Sequence, residues 1–530
     1  MIGSQSAVGA GLDSDGAWCH AGAVTRSEFE TDVVVIGSGF GGGVAALRAA
    51  QAGRRVTVLE QGRRLRPADF EAGAESTRRL LWEPAVGLRG YFRQTALRDV
   101  VVVSGVGVGG GSLVYAAVLI DPPAAALQTV GWTRTGHDWP TELAPHVATA
   151  ADMLGRQVNP QQGQQDEWLR AAAELMGVGD TWGPTPQGID FDACIGCGQC
   201  ITGCPHGAKN SVDLTYLAAA ESLGAQVRER SRVEVLVPLG RGDGRDGWRV
   251  VLRDPLGGRR ARPTSVTAAE VVLAGGVLGT TGLLLAARDR WRTLPGLSEQ
   301  VGQQVRTNSE AFAAVLHPPG TDVMPGATIS SDFYPDPITH VTNNRFPKSY
   351  TFMKWYLSPS VSGDHRRRDT AGAWLRHPLR SSAALRARQW HHRTTVLTVM
   401  QHDDNQMALR YRRRPWGWSL ESQRPGAQAV PSYLPQADAA GRAVAEVSGG
   451  QAYTTLLEAV GGIGATAHIL GGAVIGSGPH DGVVDAEQRV FGYAGLRVMD
   501  GSVVPSNIGV NPSLTITALA ERACAAWLGG

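Results

Sequence analysis

Cysteine is scarce in this chain, six in 530 residues, too few for a disulfide scaffold. Long apolar runs are missing as well. Stretches such as VVVIGSGFGGGVAALRAA are broken by glycine before they approach the roughly 20 residues of a spanning helix, so no transmembrane segment is expected. Excess charge is absent: 50 Lys and Arg face 48 Asp and Glu, a formal +2, which leaves no basic face for nucleic acid. The first 30 residues lack the basic start and apolar block of an export signal and carry Asp13 and Asp15 where that block would lie. Residues 1–31 therefore read as a mobile extension, and the expected compartment is the reducing cytoplasm. There, thiols serve metals or redox chemistry rather than cross-links.

What is present starts with size. At this length, and with 43% hydrophobic residues, the chain is expected to form more than one structural unit around a sizeable core. The run Val33 to Ile36 reads as a strand buried on both faces. Gly37, Gly39 and Gly42 follow in G-x-G-x-x-G spacing, then an alanine-rich helix, then a second strand from Val56 to Leu59. Such glycines allow a tight turn, close approach of backbone to a pyrophosphate, and close helix packing, while the helix N-terminus favours phosphate charge. Glu60 ends the second strand, 18 residues past Gly42, near the place where an acid accepts ribose hydroxyls. The alternative is a purely structural turn. NAD and FAD share this grip, so the motif does not choose between them.

Two further stretches make the choice. GVGVGGGSLVYAAVL from Gly105 and the C-terminal HILGGAVIG and GLRVMDGSVVPSNIGVNPSLTITALAERA resemble flavin-contacting segments of the glucose-methanol-choline (GMC) oxidoreductases, most of all their cholesterol-oxidase-like branch. WPTELAPHVATAADMLG, VVLAGGVLGTTGLLL, VGQQVRTNSEA, SSDFYPDPITHV and VMQHDDNQMAL resemble that branch in the same order, so the likeness spans about residues 32 to 528. It implies an α/β (α+β) chain with a Rossmann-like FAD-binding domain and a second, substrate domain built on an antiparallel sheet. The FAD-binding pieces would be 32–125, 212–310 and 462–530. Between them would lie a connecting segment, 126–211, with a cysteine-rich insert at 185–211, and the substrate domain at 311–461.

The resemblance further implies FAD as cofactor and oxidation of an alcohol by hydride transfer to the flavin. Gly105, Gly107, Gly109, Gly110 and Gly111 would give a side-chain-poor surface for a planar ring, with the Ser112 hydroxyl at its edge. Asp500 and Gly501 would lie beside the ribityl chain and pyrophosphate, Val233 on the adenine side, and Gly275 and Gly276 in a second glycine turn. Hydride removal requires the hydroxyl proton to leave too, so a base must reach that oxygen. His468 falls on the family's active-site histidine and Asn511 on its asparagine partner; His402 is a weaker candidate for the pocket wall. The sequence departs from the branch at Tyr115, where relatives carry Asn. No counterpart is evident for the carboxylate that shifts a steroid double bond in the sterol oxidases; Glu310 is the one candidate.

Cys194, Cys197, Cys200 and Cys204 form C-x-x-C-x-x-C-x-x-x-C-P, the run with which bacterial ferredoxins ligate iron–sulfur clusters. Zinc usually takes two pairs across a longer spacer, and a zinc site, a structural thiol cluster or unreacted cysteines are the alternatives. In two-cluster ferredoxins the fourth cysteine serves the other cluster, and this chain has one run. The outcomes are a [4Fe–4S] centre on all four, which is preferred, a [3Fe–4S] centre on three, or completion by Cys524 or Cys19. Lys209 and Asn210 either balance cluster charge or cap the following helix. Such a centre would pass flavin electrons singly to a redox partner protein and favour a dehydrogenase; a cluster-free oxidase that releases hydrogen peroxide is the alternative. From another class comes a noncatalytic flavin electron-transfer or ligand-binding protein. The expected substrate is a small hydrophobic alcohol, sterol-like or polycyclic. The basic segment at 366–395 is expected as a solvated helical hairpin rather than a docking face.

Overall fold

The computed structural model describes residues 29–258, 261–361, 366–415, 417–424, 431 and 433–529. Most of the expected extension, Cys19 included, lies outside the described residues. The first strand, β1 (Thr31–Ile36), is buried at every position except Asp32, which is what β-branched residues between two covering layers require. The chain turns at Gly37 into α1 (Phe40–Gln51) and returns as β2 (Val56–Leu59). β2 is parallel to β1, with Val33 opposite Val56 and Ile36 opposite Leu59. On its other edge β1 pairs in parallel with β3 (Thr264–Leu273). β3 leads into Trp248–Arg253 and then Arg232–Pro238, both antiparallel. Gln226–Arg228 beside β2 and β4 (Leu496–Val498) beside β3 complete seven strands.

That sheet draws strands from three separated stretches of sequence, and the cofactor-binding architecture follows from the way they are pinned. α2 (Gly276–Leu285) leaves the end of β3. α3 (Ser513–Leu528), the last helix, packs on α1, where Arg48 pairs with Glu521 at 2.7 Å and the Tyr216 hydroxyl donates to the same carboxylate at 2.8 Å.

A second seven-stranded sheet is antiparallel throughout. Its order is Leu357–Pro359, Gln451–Thr455, Ala311–Leu316, Thr394–Gln401, Thr339–Asn344, Ser331–Asp336 and Gly183–Pro184. On one face the helices Gln164–Leu175 and Pro435–Ser448 bury Leu169, Ala440 and Val444 against Phe333 and Leu397. On the other, Trp390 and Phe346 pack with Tyr453. The basic segment forms the short helices Arg366–Arg376, Pro378–Ser381 and Ala383–Arg386 and is anchored by the buried Trp390. Two residues stand at strand ends of this sheet: Glu310 immediately precedes Ala311–Leu316, and His402 follows Thr394–Gln401.

Among the described residues, no helix is long and apolar enough to cross a membrane.

Candidate active site

The three motif glycines meet three different constraints. Gly37 has φ +104°, in the left-handed region, and a Cβ there would lie 2.2 Å from the Ala274 carbonyl oxygen; only glycine fits. A Cβ on Gly42 would lie 2.2 Å from the Gly37 carbonyl oxygen, so its bare Cα lets α1 sit directly on the turn. At Gly39 the protein leaves space, with the nearest atoms, Gly110 Cα and Gly111 N, 3.9 Å from a Cβ. The second glycine loop comes up against that spot: Gly110 has φ +56°, and its own Cβ would lie 2.7 Å from Gly39 Cα. Gly105 closes the loop's base, a Cβ there falling 2.3 Å from the Gly110 carbonyl. Gly39 and Gly111 thus border a space that side chains do not fill, a cradle suited to a flat ring and a phosphate backbone.

Polar groups around the cradle are already ordered. Glu60 is buried; it accepts from Ser38 Oγ at 2.7 Å and from the Gly62 amide at 2.8 Å, and burial pushes its carboxyl above the ordinary value. Val233 lies half-buried at a bulge in Arg232–Pro238. It is two residues past Ser231, whose amide donates to the Glu60 carbonyl at 2.7 Å. Asp500 ties the C-terminal strand to the second glycine turn. One oxygen accepts from the Gly276 amide at 2.9 Å and Thr280 Oγ1 at 2.5 Å, the other from the Ser502 amide at 2.8 Å. Gly275 donates its amide to Thr280 Oγ1, and Gly501 begins a short turn after Asp500. Ser112 departs from expectation. Its hydroxyl is fully buried, donates to the Gly109 carbonyl at 2.7 Å and accepts from the Val212 amide at 2.9 Å. It staples the glycine loop to residue 212 instead of presenting a donor at the edge of a ring.

His468 and Asn511, 43 residues apart in sequence, come together with Nε2 3.2 Å from Nδ2. The opposite ring nitrogen, Nδ1, lies 2.6 Å from Glu310 Oε1, an ion-pair contact whose direction is off the axis of a good hydrogen bond. Glu310 is fully enclosed; it also accepts from Thr466 Oγ1 at 2.9 Å and from the Ala467 amide at 2.9 Å. Thr466 Oγ1 in turn accepts from the His468 amide at 3.0 Å. A carboxylate at Nδ1 selects the tautomer with its proton there and leaves Nε2 as the basic nitrogen. Asn511 is held through its neighbours: Asn308 Nδ2 donates to the Val510 carbonyl at 2.7 Å, and Asn507 Nδ2 donates to the carbonyls of Gln401 and Asp403. Asn511 Oδ1 is buried and has no partner within the protein, as expected of a group that meets a ligand. His402 backs this turn, close enough that a Cβ on Gly509 would lie 2.9 Å from its own Cβ. Sequence reasoning found His468 and Asn511 by motif and assigned Glu310 no part in their pairing. No spacing signal links the three, because they arrive from three separate stretches.

The four cysteines of the insert are free, partly exposed thiols that line one small, partly open pocket. Among the described residues, no three His, Cys, Asp or Glu side chains converge on a single ion, so the thiols do not form a ready one-metal site. Cys524 takes no part: it is buried in α3 with its sulfur 3.7 Å from Met499 Sδ. Lys209 and Asn210 do not cap the helix Tyr216–Ser222. Lys209 Nζ donates to the carbonyls of Leu113, Tyr115 and Cys200, and Asn210 Nδ2 to that of Leu154. Tyr115 donates its hydroxyl to the Asn210 carbonyl at 2.7 Å, and its ring lies edge-on to Phe40 at 5.3 Å and under Lys209 at 5.1 Å.

Comparison with known proteins agrees with this geometry. Family models described as GMC oxidoreductase match residues 30–287 and 397–520. A cholesterol oxidase of Mycobacterium tuberculosis is 39% identical over 94% of this chain and 91% of its own, and one of Acinetobacter baumannii is 36% identical over 94% and 95%. Among solved structures, pyridoxine 4-oxidase from Mesorbium loti superposes with a TM-score of 0.65 at 16% identity over 94% of this chain and 99% of its own. The two sequence relatives are cholesterol oxidases, which favours the oxidase alternative over the relay. With its glycine cradle and matching sequence along nearly its whole length, the chain belongs to the GMC oxidoreductases, FAD-dependent enzymes acting on CH–OH groups.

Proposed function

We propose that this protein is an FAD-dependent alcohol oxidase whose substrate is a hydrophobic secondary alcohol of the sterol type, and that His468, Asn511 and Glu310 run its proton chemistry. The His468–Asn511 pair carries this reading: a basic imidazole nitrogen and an amide meet at 3.2 Å, and the amide's buried oxygen has no partner. The relatives' names supply the substrate class.

FAD fits the residues present. Gly39 and Gly111 leave room for backbone approach, Glu60 stands at the end of β2 for ribose hydroxyls, and the start of α1 faces the phosphate position. When bound, FAD supplies the hydride acceptor. The protein does the rest. The substrate oxygen replaces His468 Nε2 as an acceptor from Asn511 Nδ2, which frees the Nε2 lone pair beside it. His468 takes the hydroxyl proton at Nε2 as the carbon loses hydride, and Glu310 stabilises the imidazolium through Nδ1. The overall balance is alcohol plus dioxygen to ketone plus hydrogen peroxide.

A second reading, a dehydrogenase whose electrons leave through the cysteine insert to a one-electron redox partner, is favoured by one observation: Lys209 ties the cysteine loop directly to the end of the glycine cradle. Oxygen uptake with a sterol and peroxide titration separate the two. Stoichiometric peroxide is expected for the oxidase. Turnover with an artificial acceptor and no peroxide contradicts it.

A further inference from the structure

The antiparallel sheet carries a second carboxylate–imidazole pair, and the alcohol chemistry leaves it unused. Asp332 Oδ2 lies 2.9 Å from His340 Nε2, and the Tyr334 ring stacks on the imidazole at 4.8 Å. Both partners are buried, His340 to 1% exposure. The carboxylate draws the ring proton to Nε2 and leaves a lone pair on Nδ1. That nitrogen is enclosed and has no partner within the protein, although a buried polar group ordinarily has one.

Strand alternation fixes the side to which this pair belongs. Ala311, Val341 and Val399 pack on the face covered by the helices Gln164–Leu175 and Pro435–Ser448, so their neighbours Glu310, His340 and Met400 lie on the opposite face. His340 stands directly across from Met400. Ala311 pairs with Val399, which puts Glu310 level with Met400 on the other side. Glu310, Met400 and His340 thus form one row over three adjacent strands. Strands lie about 5 Å apart, so His340 stands roughly 10 Å along this face from the carboxylate that serves His468. Met400 joins the row to the amide of the alcohol site: its Sδ is 3.7 Å from Asn308 Nδ2, which donates to the Val510 carbonyl next to Asn511.

A rigid ring system laid along this row would meet His468 and Asn511 at one end and His340 at the other. The free lone pair asks for a hydrogen-bond donor. An apolar tail would leave it unpaired, at a cost in binding, and the charge of Asp332 disfavours an acid there.

We infer that His340, oriented by Asp332, is a specificity-determining residue that accepts a hydrogen bond from a second hydroxyl at the far end of the substrate. This rests on the sterol-alcohol reading above and narrows it to a polycyclic diol in place of a sterol with a wholly hydrocarbon tail.

The test measures binding without turnover on the FAD-loaded chain. Two steroid ketones are titrated against the flavin absorbance spectrum: testosterone, whose ketone and hydroxyl sit at opposite ends of the rings, and the same ketone without the hydroxyl. Testosterone is expected to bind about tenfold more tightly. Combining His340→Phe with Asp332→Asn, so that no buried charge is left alone, should bring the ratio of the two affinities close to one. A purely structural pair would weaken both ligands alike and keep the ratio. Equal affinities in the wild type therefore overturn the inference, as does a wild-type ratio retained by the double variant, or binding of neither ketone. Should the variant fail to fold, the wild-type ratio decides alone. Oxygen uptake with a sterol judges the alcohol-oxidising reading separately, so the two failures are distinguishable.

Discussion

The proton chemistry proposed for His468 rests on a neighbour that gives no sequence signal. Glu310 is enclosed, holds Thr466 and the Ala467 amide, and faces Nδ1. If its charge orients and stabilises the imidazole, Glu310→Gln should lower kcat at least about tenfold and leave KM and FAD content nearly unchanged. Steady-state kinetics with flavin absorbance checks this. A substitution that only loosened packing would shed FAD along with activity. A different carboxyl governs stability. Burial pushes Glu458 up to about 8 from an ordinary 4.5, while Phe312 N and Thr454 Oγ1 donate to it. Between those values the folded chain holds a proton that the unfolded chain has released. Stability therefore falls as pH rises through that window, by up to about 1.4 kcal/mol per pH unit, and levels off above it. Denaturant titrations from about pH 5 to pH 8 should show this slope in wild type and a flatter one in Glu458→Gln.

At the scale of elements, two glycines of one motif should fail in different ways. Gly42→Ala drives a Cβ into the Gly37 carbonyl and should destabilise the fold by about 1 to 3 kcal/mol. Gly39→Ala meets nothing in the protein closer than 3.9 Å, so the FAD-free melting temperature should hold while FAD affinity drops. Calorimetry with and without FAD separates the two. The helix Gln164–Leu175 depends on a buried pair. Asp166 accepts from Arg345 Nη2 at 3.1 Å and from Ser330, Ser331 and Asn343. Asp166→Ala leaves a cation buried without its partner and should cost about 3 to 5 kcal/mol, less when Arg345 is replaced too. The strand, turn and helix from Thr31 to Gln51 were legible in sequence because β-branched runs and glycine spacing are local signals. The network at Asp166 was not, since its members lie 164 to 179 residues apart.

Across the whole molecule, two sheets are legible from the family resemblance, but the way distant segments assemble the His468 cluster is not. His468 was legible because it stands in a motif. Its geometry depends on Glu310 at the start of a strand in one sheet and on Asn511 beside a turn that Asn507 pins to the end of another strand. Ser112 shows the opposite limit: its type and position suited a donor to the ring, yet the hydroxyl is committed to Gly109 and Val212. Hydride loss and proton loss must occur at one carbon and one oxygen, so the account's central claim is best tested on the FAD-loaded chain in a single anaerobic turnover. Mixing it with a sterol should bleach the flavin rapidly, and His468→Ala should slow bleaching about 10²- to 10⁴-fold at unchanged FAD content. Bleaching at equal rates in the two proteins would contradict the account.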